Sequence, residues 1–504
     1  MKQLLGCRFR RTTLVAVFCM ALLGGLGMAR YTNFDVVLLI VSAALLVGSM
    51  RGQRTACLLA VILFGLCVGG YRGTFYMNRL ADYDDLYNQK IVLVGKAVDD
   101  AGYGKQAQLT FDLSGGQVDG EGIPLVGKIG VSGFGVNAVY RGDIVQVEGK
   151  LRKGLGSRQG YMSFARLSVV GSKPTTIDTF RHKFAAGAQS ALPEPAASFA
   201  MGLLIGQKAT LPDSVYDDLV MVGLVHIIAV SGYNLTIILR ACLKLLGNRS
   251  KFQTLAVAIT LISVFLLITG ASASIVRASI VSAMSIACWY YGRNFKPLVL
   301  ILLAAIITAY ANPLYLWGDI GWYLSFLAFY GVMILAPQVR LKWKNSRLRE
   351  SVIVGIALES LCAEVMTLPL VLYIFGQLSA VSLVANVLVA AFVPLAMLLS
   401  VIAGLAGMLL TPIAGWFAWP GVIILTYMLD MAHILASIPH VFRENVYISA
   451  TGMIAMFAVV IGINLLLYSR LRKNPDIIRA IKEENTLLAP SFKTQQANAS
   501  NRST

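Results

Sequence analysis

Long apolar runs separated by short polar loops dominate the chain, and only one region breaks the pattern. A membrane-spanning helix takes roughly 20 apolar residues. About twelve such spans can be read, at 12–29, 33–50, 55–70, one within 180–247, then 252–270, 274–292, 297–311, 320–337, 351–375, 378–409, 413–438 and 447–468. Between 72 and 180 the runs shorten and alternate: IVLVGKAV (91–98), QAQLTFDL (106–113), GKIGVSG (127–133), DIVQVEGKL (143–151) and SFARLSVVG (163–171). A period of two bounded by Gly, Asp and Pro predicts antiparallel strands with one buried face. Five short strands suit a small barrel, with the oligonucleotide-binding (OB) fold the leading candidate. The expected fold is therefore a polytopic α-helical membrane protein with interfacial or re-entrant helices, carrying an extracytoplasmic all-β OB-like barrel.

Composition agrees: 57% hydrophobic, 13% charged and a mean hydropathy of +0.70 exclude a soluble enzyme with an anchor. The net charge of +18 follows from the positive-inside rule without invoking nucleic acid. Lys2, Arg8, Arg10 and Arg11 place the N-terminus in the cytoplasm, as Arg470, Arg472 and Lys473 do for the tail. Arg340, Lys342, Lys344, Arg347 and Arg349 mark a further cytoplasmic loop. An even number of spans fits on each side of that loop, so residues 180–247 must cross once, and the segment that can do so contains GLVHIIAVSGYN (223–234). The domains expected are three spans in 1–71, the barrel in 72–180, a membrane domain in 181–470 and a disordered polar tail in 471–504. The seven cysteines lie in or beside spans and read as packing residues.

The candidate chemistry sits inside the membrane. His226, Ser231, Gly232 and Asn234 bring polar groups and a Ser-Gly break to membrane depth, where such groups mark functional sites by default. His226 and Ser231, five residues apart, differ by about 140° on a straight helix and point apart, so a catalytic dyad would need the Ser-Gly break to swing the serine round or another helix to supply the histidine. The remaining readings are satisfaction within the bundle or the lining of an aqueous path. Arg277 lies a few residues into a span, free to snorkel outward or to draw an anion to a pore mouth. Glu364 is expected near mid-membrane, where it needs a partner, a lumen or a proton. Asp319 reads as an N-cap. The run 192–208, too short to span, reads as an interfacial or re-entrant helix, and 211–223 as an amphipathic surface helix. In the barrel, Lys150, Arg152, Lys153, Arg158 and Arg166 interleave with Tyr161 and Phe164 as a candidate single-strand surface, with Tyr103, Phe111, Phe134 and Tyr140 as further stacking platforms. Against this, residues 88–172 hold ten Lys/Arg and seven Asp/Glu, a net of only +3.

Four blocks then carry a resemblance: MGLLIGQKATLPDSVYDDLVMVGLVHIIAVSGYNL, TGASASIVRASIVSAM, NPLYLWGDIGWYLSFLAFYGV and TLPLVLYIFGQLSAVSLVANVLVAAFVPL. Their order and spacing over 190–400 resemble the competence domain of ComEC proteins, the inner-membrane DNA-uptake channels of natural transformation. The three N-terminal spans and the OB-like region are similar to the family's N-terminal part. The resemblance implies a channel passing single-stranded DNA into the cytoplasm, with His226, Ser231, Gly232, Asn234, Arg277 and Ser325 as functional positions; Glu364, from its place near mid-membrane, is a further lining or gate candidate. It implies partners: single-stranded DNA, an extracytoplasmic DNA receptor, and a cytoplasmic helicase, single-strand-binding protein or recombinase. Many family members end in a metallo-β-lactamase-like domain. This chain has four histidines and no HxHxDH cluster, so it is expected to carry no nuclease, no metal and no cofactor, and a separate polypeptide would degrade the other strand. No GxxxxGK[ST] loop is present, so the chain is not its own motor. The alternatives are a small-solute transporter, which would often show paired broken helices, and a membrane-embedded hydrolase.

Overall fold

The structure is a computed structural model and describes residues 11–49, 54–103, 108–118, 125–206, 211–228, 235, 239, 250–269, 273–292, 296–342 and 351–472. Two compact units divide the chain: Met1–Thr175 with Leu298–Tyr323, and Thr176–Pro297 with Leu324–Thr504.

The first unit opens with three apolar helices, α1 (Arg11–Met28), α2 (Val36–Ser49) and α3 (Arg54–Leu80). On α3, Gly65, Gly69 and Gly73 recur every fourth residue and so share one face. A Cβ at Gly69 would lie 2.0 Å from the Leu22 carbonyl, and one at Gly25 of α1 would lie 2.0 Å from that of Leu66. The two helices therefore touch backbone to backbone, as small residues allow when apolar side chains gain nothing by leaving lipid. The expected span 55–70 is extended, because YRGTFYMNRL continues the helix to Leu80 before the chain turns.

Six strands follow: β1 (Lys90–Ala97), β2 (Gly102–Tyr103), β3 (Leu109–Val118), β4 (Lys128–Phe134), β5 (Asp143–Lys153) and β6 (Gly160–Ser172). Five overlap the predicted runs. Alternation does the sorting: on β5, Val145, Val147 and Leu151 are buried while Lys150 and Arg152 face out. The strand order is β1-β5-β6-β4-β3-β2, and β1 also pairs with β3, so the pairings close on themselves. Every pairing is antiparallel except β4 with β6. The core holds Leu93, Leu113, Val147, Leu151 and Met162. Phe111 lies in this core at 5% exposure and is not a stacking platform, because its odd position in β3 shares the inward face of Leu109 and Leu113.

Leu298–Tyr323 belongs to the same unit. Arg72 donates to the carbonyls of Tyr310 (3.0 Å) and Ala311 (3.3 Å) at the end of the Pro297–Ala311 helix. Tyr76 donates to Asn312 Oδ1 (3.0 Å), and Asn312 Nδ2 to the Ser157 carbonyl (3.1 Å) in the β5–β6 loop. Gln159 donates to the Tyr76 hydroxyl, and its Oε1 accepts from the Lys128 amide. Trp317 Nε1 donates to the Leu26 carbonyl at 3.0 Å.

The second unit is helical. α4 (Thr176–Ala191) lies against the Val393–Leu409 helix, where a Cβ at Gly407 would come within 1.9 Å of the Gly187 carbonyl. In α5 (Ala196–Ile205) all ten residues are buried, so it is not an interfacial helix: with no polar face, it lies inside the bundle. α6 (Asp213–Met221) buries Leu219 and leaves Asp213 and Asp217 exposed, as an amphipathic helix should, while Asp218 pairs with His433 at 2.8 Å. In the first unit, Asp319 caps the start of the Ile320–Tyr330 helix by accepting from the Trp322 amide at 2.9 Å.

Among the described residues, five helices are long and apolar enough to cross a membrane: Thr55–Tyr83, Ile320–Arg340, Ile353–Ile374, Ala414–Ala436 and Ala450–Arg470. The expected single span 378–409 is instead a pair, Ser382–Ala390 and Val393–Leu409, bent by 46°. A π-helical turn at Asn386–Ala390 and Pro394 at the start of the second helix account for the bend.

Candidate functional site

Gly223 closes the turn between α6 and α7 (Val225–Ile228) with a φ of +76°, a left-handed conformation suited to glycine. His226 sits on α7, its Nδ1 3.0 Å from the Gly223 carbonyl and its ring exposed. Gly223 is also tight against the bent pair: a Cβ there would lie 2.9 Å from that of Ser382 and 3.8 Å from that of Ser379. Ser382 is 9% exposed, and its hydroxyl donates to Glu364 Oε1 on the Val352–Ile374 helix. The partner that Glu364 requires is thus a serine at the start of the broken helix. Two further polar atoms on the same segment, Ser379 Oγ and Asn386 Oδ1, are buried with no hydrogen-bond partner among the described residues. Two segments 159 residues apart, Gly223–His226 and Ser379–Asn386, therefore meet beside a half-buried carboxyl.

Arg277 does not snorkel. It is 2% exposed, with its guanidinium carbon 5.6 Å from the centroid of the Phe326 ring. Ser325 is the half-buried neighbour of Phe326. Ala278, next to Arg277, shares an apolar cluster with Leu235 and Leu239, which follow the GLVHIIAVSGYN motif, and with Phe329. Ser231, Gly232 and Asn234 lie outside the described residues.

On the barrel, register brings part of the candidate surface together. Arg152 pairs with Tyr161, and Tyr161 with Gly130. A Cβ at Gly130 would meet both the Tyr161 ring (2.8 Å) and the Arg158 side chain (2.9 Å), so the absent side chain makes room for both. Arg158 also pairs with Asp112 at 2.7 Å. Lys150 and Lys153 are exposed at the end of β5. Arg166 stands opposite Glu148, whose carboxyl is held below the usual range by its hydrogen bond and ion pair with Lys90 at 2.7 Å. Phe164 projects at 67% exposure from a φ of +54°, at a register irregularity between β5 and β6. Tyr103, Phe134 and Tyr140 are also exposed.

The sequence reading passed over Ser382, Arg72, Tyr76, Gln159 and Asn312. Asn312-Pro313 after an apolar run was the available signal for the junction. For Ser382 the signal was a pair of hydroxyls, Ser379 and Ser382, ahead of VANVLVAAFVP.

The family model described as "Competence protein" matches residues 203–473, just over half of the chain and the region that holds the Gly223, Ser382, Glu364 and Arg277 contacts. The chain belongs to the competence protein family, of ComEC type. Among its relatives is ComE operon protein 3 of Bacillus subtilis (strain 168), 26% identical over 236 residues. That alignment covers 46% of this chain and 29% of the relative's length. No solved structure matches the chain. Family membership supports a role in DNA uptake for transformation, and the apolar helices are those of a membrane protein.

Proposed function

We propose that this competence protein is the channel through which one strand of DNA crosses the cytoplasmic membrane during natural transformation. The observation that carries the reading is the meeting of the Gly223–His226 turn with a broken helix and a half-buried carboxyl, inside the region matched by the competence model. A polyanion needs a passage lined by hydrogen-bonding groups, and irregular backbone is tolerated at membrane depth where it borders protein or water. His226, Ser231, Gly232, Asn234, Arg277, Ser325 and Glu364 are the lining or gate residues on this reading.

The topology reading has support within the first unit. Arg72 and Tyr76 bond to Tyr310, Ala311 and Asn312, so the C-terminal ends of α3 and of the Pro297–Ala311 helix lie on one side. The charge distribution puts both ends outside the cytoplasm, together with residues 72–180. Twelve crossings then require the apolar helices Thr12–Met28, Val36–Ser49, Lys251–Leu267, Ser274–Tyr290 and Pro297–Ala311 to cross as well. They also require the bent pair and the segment that continues from α7 to cross. The antiparallel meander β1–β3–β4, the parallel β4–β6 contact and the return through β5 to β1 are the order of a five-stranded OB barrel, and we read the domain as one. Lys150, Arg152, Lys153, Arg158, Tyr161, Phe164 and Arg166 are its proposed contacts with the incoming strand. An extracytoplasmic DNA receptor, a cytoplasmic helicase, single-strand-binding protein or recombinase, and a separate nuclease are the proposed partners.

A small-solute transporter is the second reading, favoured by the 46° bend, which would pair with the break expected from the sequence at GLVHIIAVSGYN. A hydrolase fits less well: the Ser382 hydroxyl is directed at a carboxyl, and His226 Nδ1 lies on a backbone carbonyl. Following labelled duplex into cells decides between them. A strain lacking the gene should bind duplex at its surface and internalise none. Normal internalisation in that strain refutes the channel.

A further inference from the structure

The contacts around Gly223 form a chain with a direction. Glu364 accepts a hydrogen bond from Ser382, Ser382 packs its Cβ against Gly223, and the Gly223 carbonyl meets the imidazole of His226. Three elements that share no local sequence are tied by it: the Val352–Ile374 helix, the first half of the bent pair, and the α6–α7 turn.

We infer that Ser382 and Glu364 form a polar latch that sets the position of the Gly223–His226 turn, so that turn and broken helix move as one. Ser382 is then a positioning residue: it acts on the path through Gly223. This rests on the channel reading of the same site. Three features support a latch over plain packing. Ser382 is buried and spends its proton on a side chain of another helix, where an apolar residue would have packed at less cost. Gly223 has no room for a Cβ, so a displacement of Ser382 reaches the turn directly. The segment that carries Ser382 contains a π-helical turn and a 46° bend, the kind of irregular backbone through which two halves of a helix shift against each other. Ser379 Oγ and Asn386 Oδ1, buried there without partners among the described residues, are groups that a shifted arrangement could satisfy.

The test uses the full chain as the sole copy in transformable cells, with membrane abundance followed by immunoblot. Ser382→Ala keeps the Cβ against Gly223 and removes only the hydroxyl. It and Glu364→Ala should each lower internalised DNA about tenfold at unchanged abundance, the effect of one lost hydrogen bond to a carboxyl. The double variant should fall no further than the worse single one, because both remove the same bond. Glu364→Gln, which keeps an oxygen acceptor for Ser382, should lose less uptake than Glu364→Ala. In a cysteine-free background, Val225→Cys should change its rate of modification by an impermeant thiol reagent when Ser382→Ala is added. Full uptake in Ser382→Ala, losses that multiply in the double variant, a loss in Glu364→Gln as large as in Glu364→Ala, or an unchanged labelling rate each overturns the latch. A deletion strain run in parallel separates the two levels. Normal uptake there refutes the channel, whereas uptake lost on deletion but normal in Ser382→Ala refutes the latch alone.

Discussion

Replacing Gly69 by alanine asks whether the α1–α3 contact is as close as its geometry requires. The added methyl carbon would stand 2.0 Å from the Leu22 carbonyl oxygen and 2.8 Å from the Leu26 amide nitrogen. Carbon–oxygen contacts settle at about 3.3 Å or more, so the helices must separate by more than about 1 Å. The obstacle is backbone, which has no rotamer to retreat into, and the separation propagates to Gly65, Gly73 and Gly25, which share the seam. Overpacking costs about 1–3 kcal/mol, and a backbone clash belongs at the upper end of that range. Two controls isolate the seam. Gly24→Ala, one residue off it, meets only a Leu66 methyl at 3.5 Å, and Gly462→Ala meets nothing within 4 Å. Both should be neutral or slightly stabilising, since alanine exceeds glycine in helix propensity by up to about 1 kcal/mol. The assay is thermal unfolding of the detergent-solubilised chain, read as the surviving monodisperse fraction in fluorescence-detected gel filtration. Gly69→Ala should lower the midpoint by about 4 °C or more while both controls stay at the parental value. A Gly69→Ala protein that melts with its parent would show that the two helices do not pack backbone to backbone.

Three further outcomes follow from the sites. His226→Ala and Arg277→Ala should reach the membrane in normal amounts yet internalise little DNA. Arg277→Lys should be nearly as defective, because an ammonium cannot lie flat over Phe326 as a guanidinium does; normal transformation by all three would reduce both residues to packing. On the barrel, Arg152→Ala with Tyr161→Ala should weaken binding of a fluorescent single-stranded oligonucleotide to the purified full chain about tenfold or more. The arginine's share should vanish at high salt, and unchanged titration curves would remove this face from the strand's path. Lys90 holds the Glu148 carboxyl below its usual range, so their pairing contributes above that range and is lost as pH falls through the lowered folded value. Carboxyl carbon NMR should find Glu148 titrating low in the parent and returning to the ordinary range in Lys90→Ala; an unmoved titration would deny the pair.

Periodicity revealed the elements of this fold more readily than their partners. Alternation in 91–98, 106–113, 127–133, 143–151 and 163–171 marked five strands, because a one-sided sheet must alternate to bury one face. It could not assign Phe111, since the difference between a core aromatic and a surface platform is a shift of one position in β3. Helices in lipid carry no such signal. With apolar groups on every side, α5 reads the same whether it lies in an interface or inside the bundle, and only the packing decides. The spacing of His226 and Ser231 argued against a dyad but offered no partner for either residue. The contact that organises the site joins Gly223 to Ser382, and no local period reports on it.

The same limit explains the division of the chain. Composition sets 72–180 apart from the three spans before it and from a membrane domain beginning at 181, and the competence match at 203–473 begins after that boundary. Yet Leu298–Tyr323, inside the matched region, belongs to the first compact unit. The side chains that hold it there are Arg72 and Tyr76 on one part, and Asn312 and Trp317 on the other. Each bond is a directional polar contact in a setting where apolar burial gives helices little reason to associate. Their geometry is specific for that reason: Asn312 reaches Tyr76 through its oxygen and Ser157 through its nitrogen, so one side chain ties the end of α3 to the β5–β6 loop. If the barrel receives the strand, this junction fixes its β5–β6 loop to a helix end of the membrane region. An Asn312→Leu chain, similar in size but unable to make either bond, would then separate the barrel's attachment from its own folding.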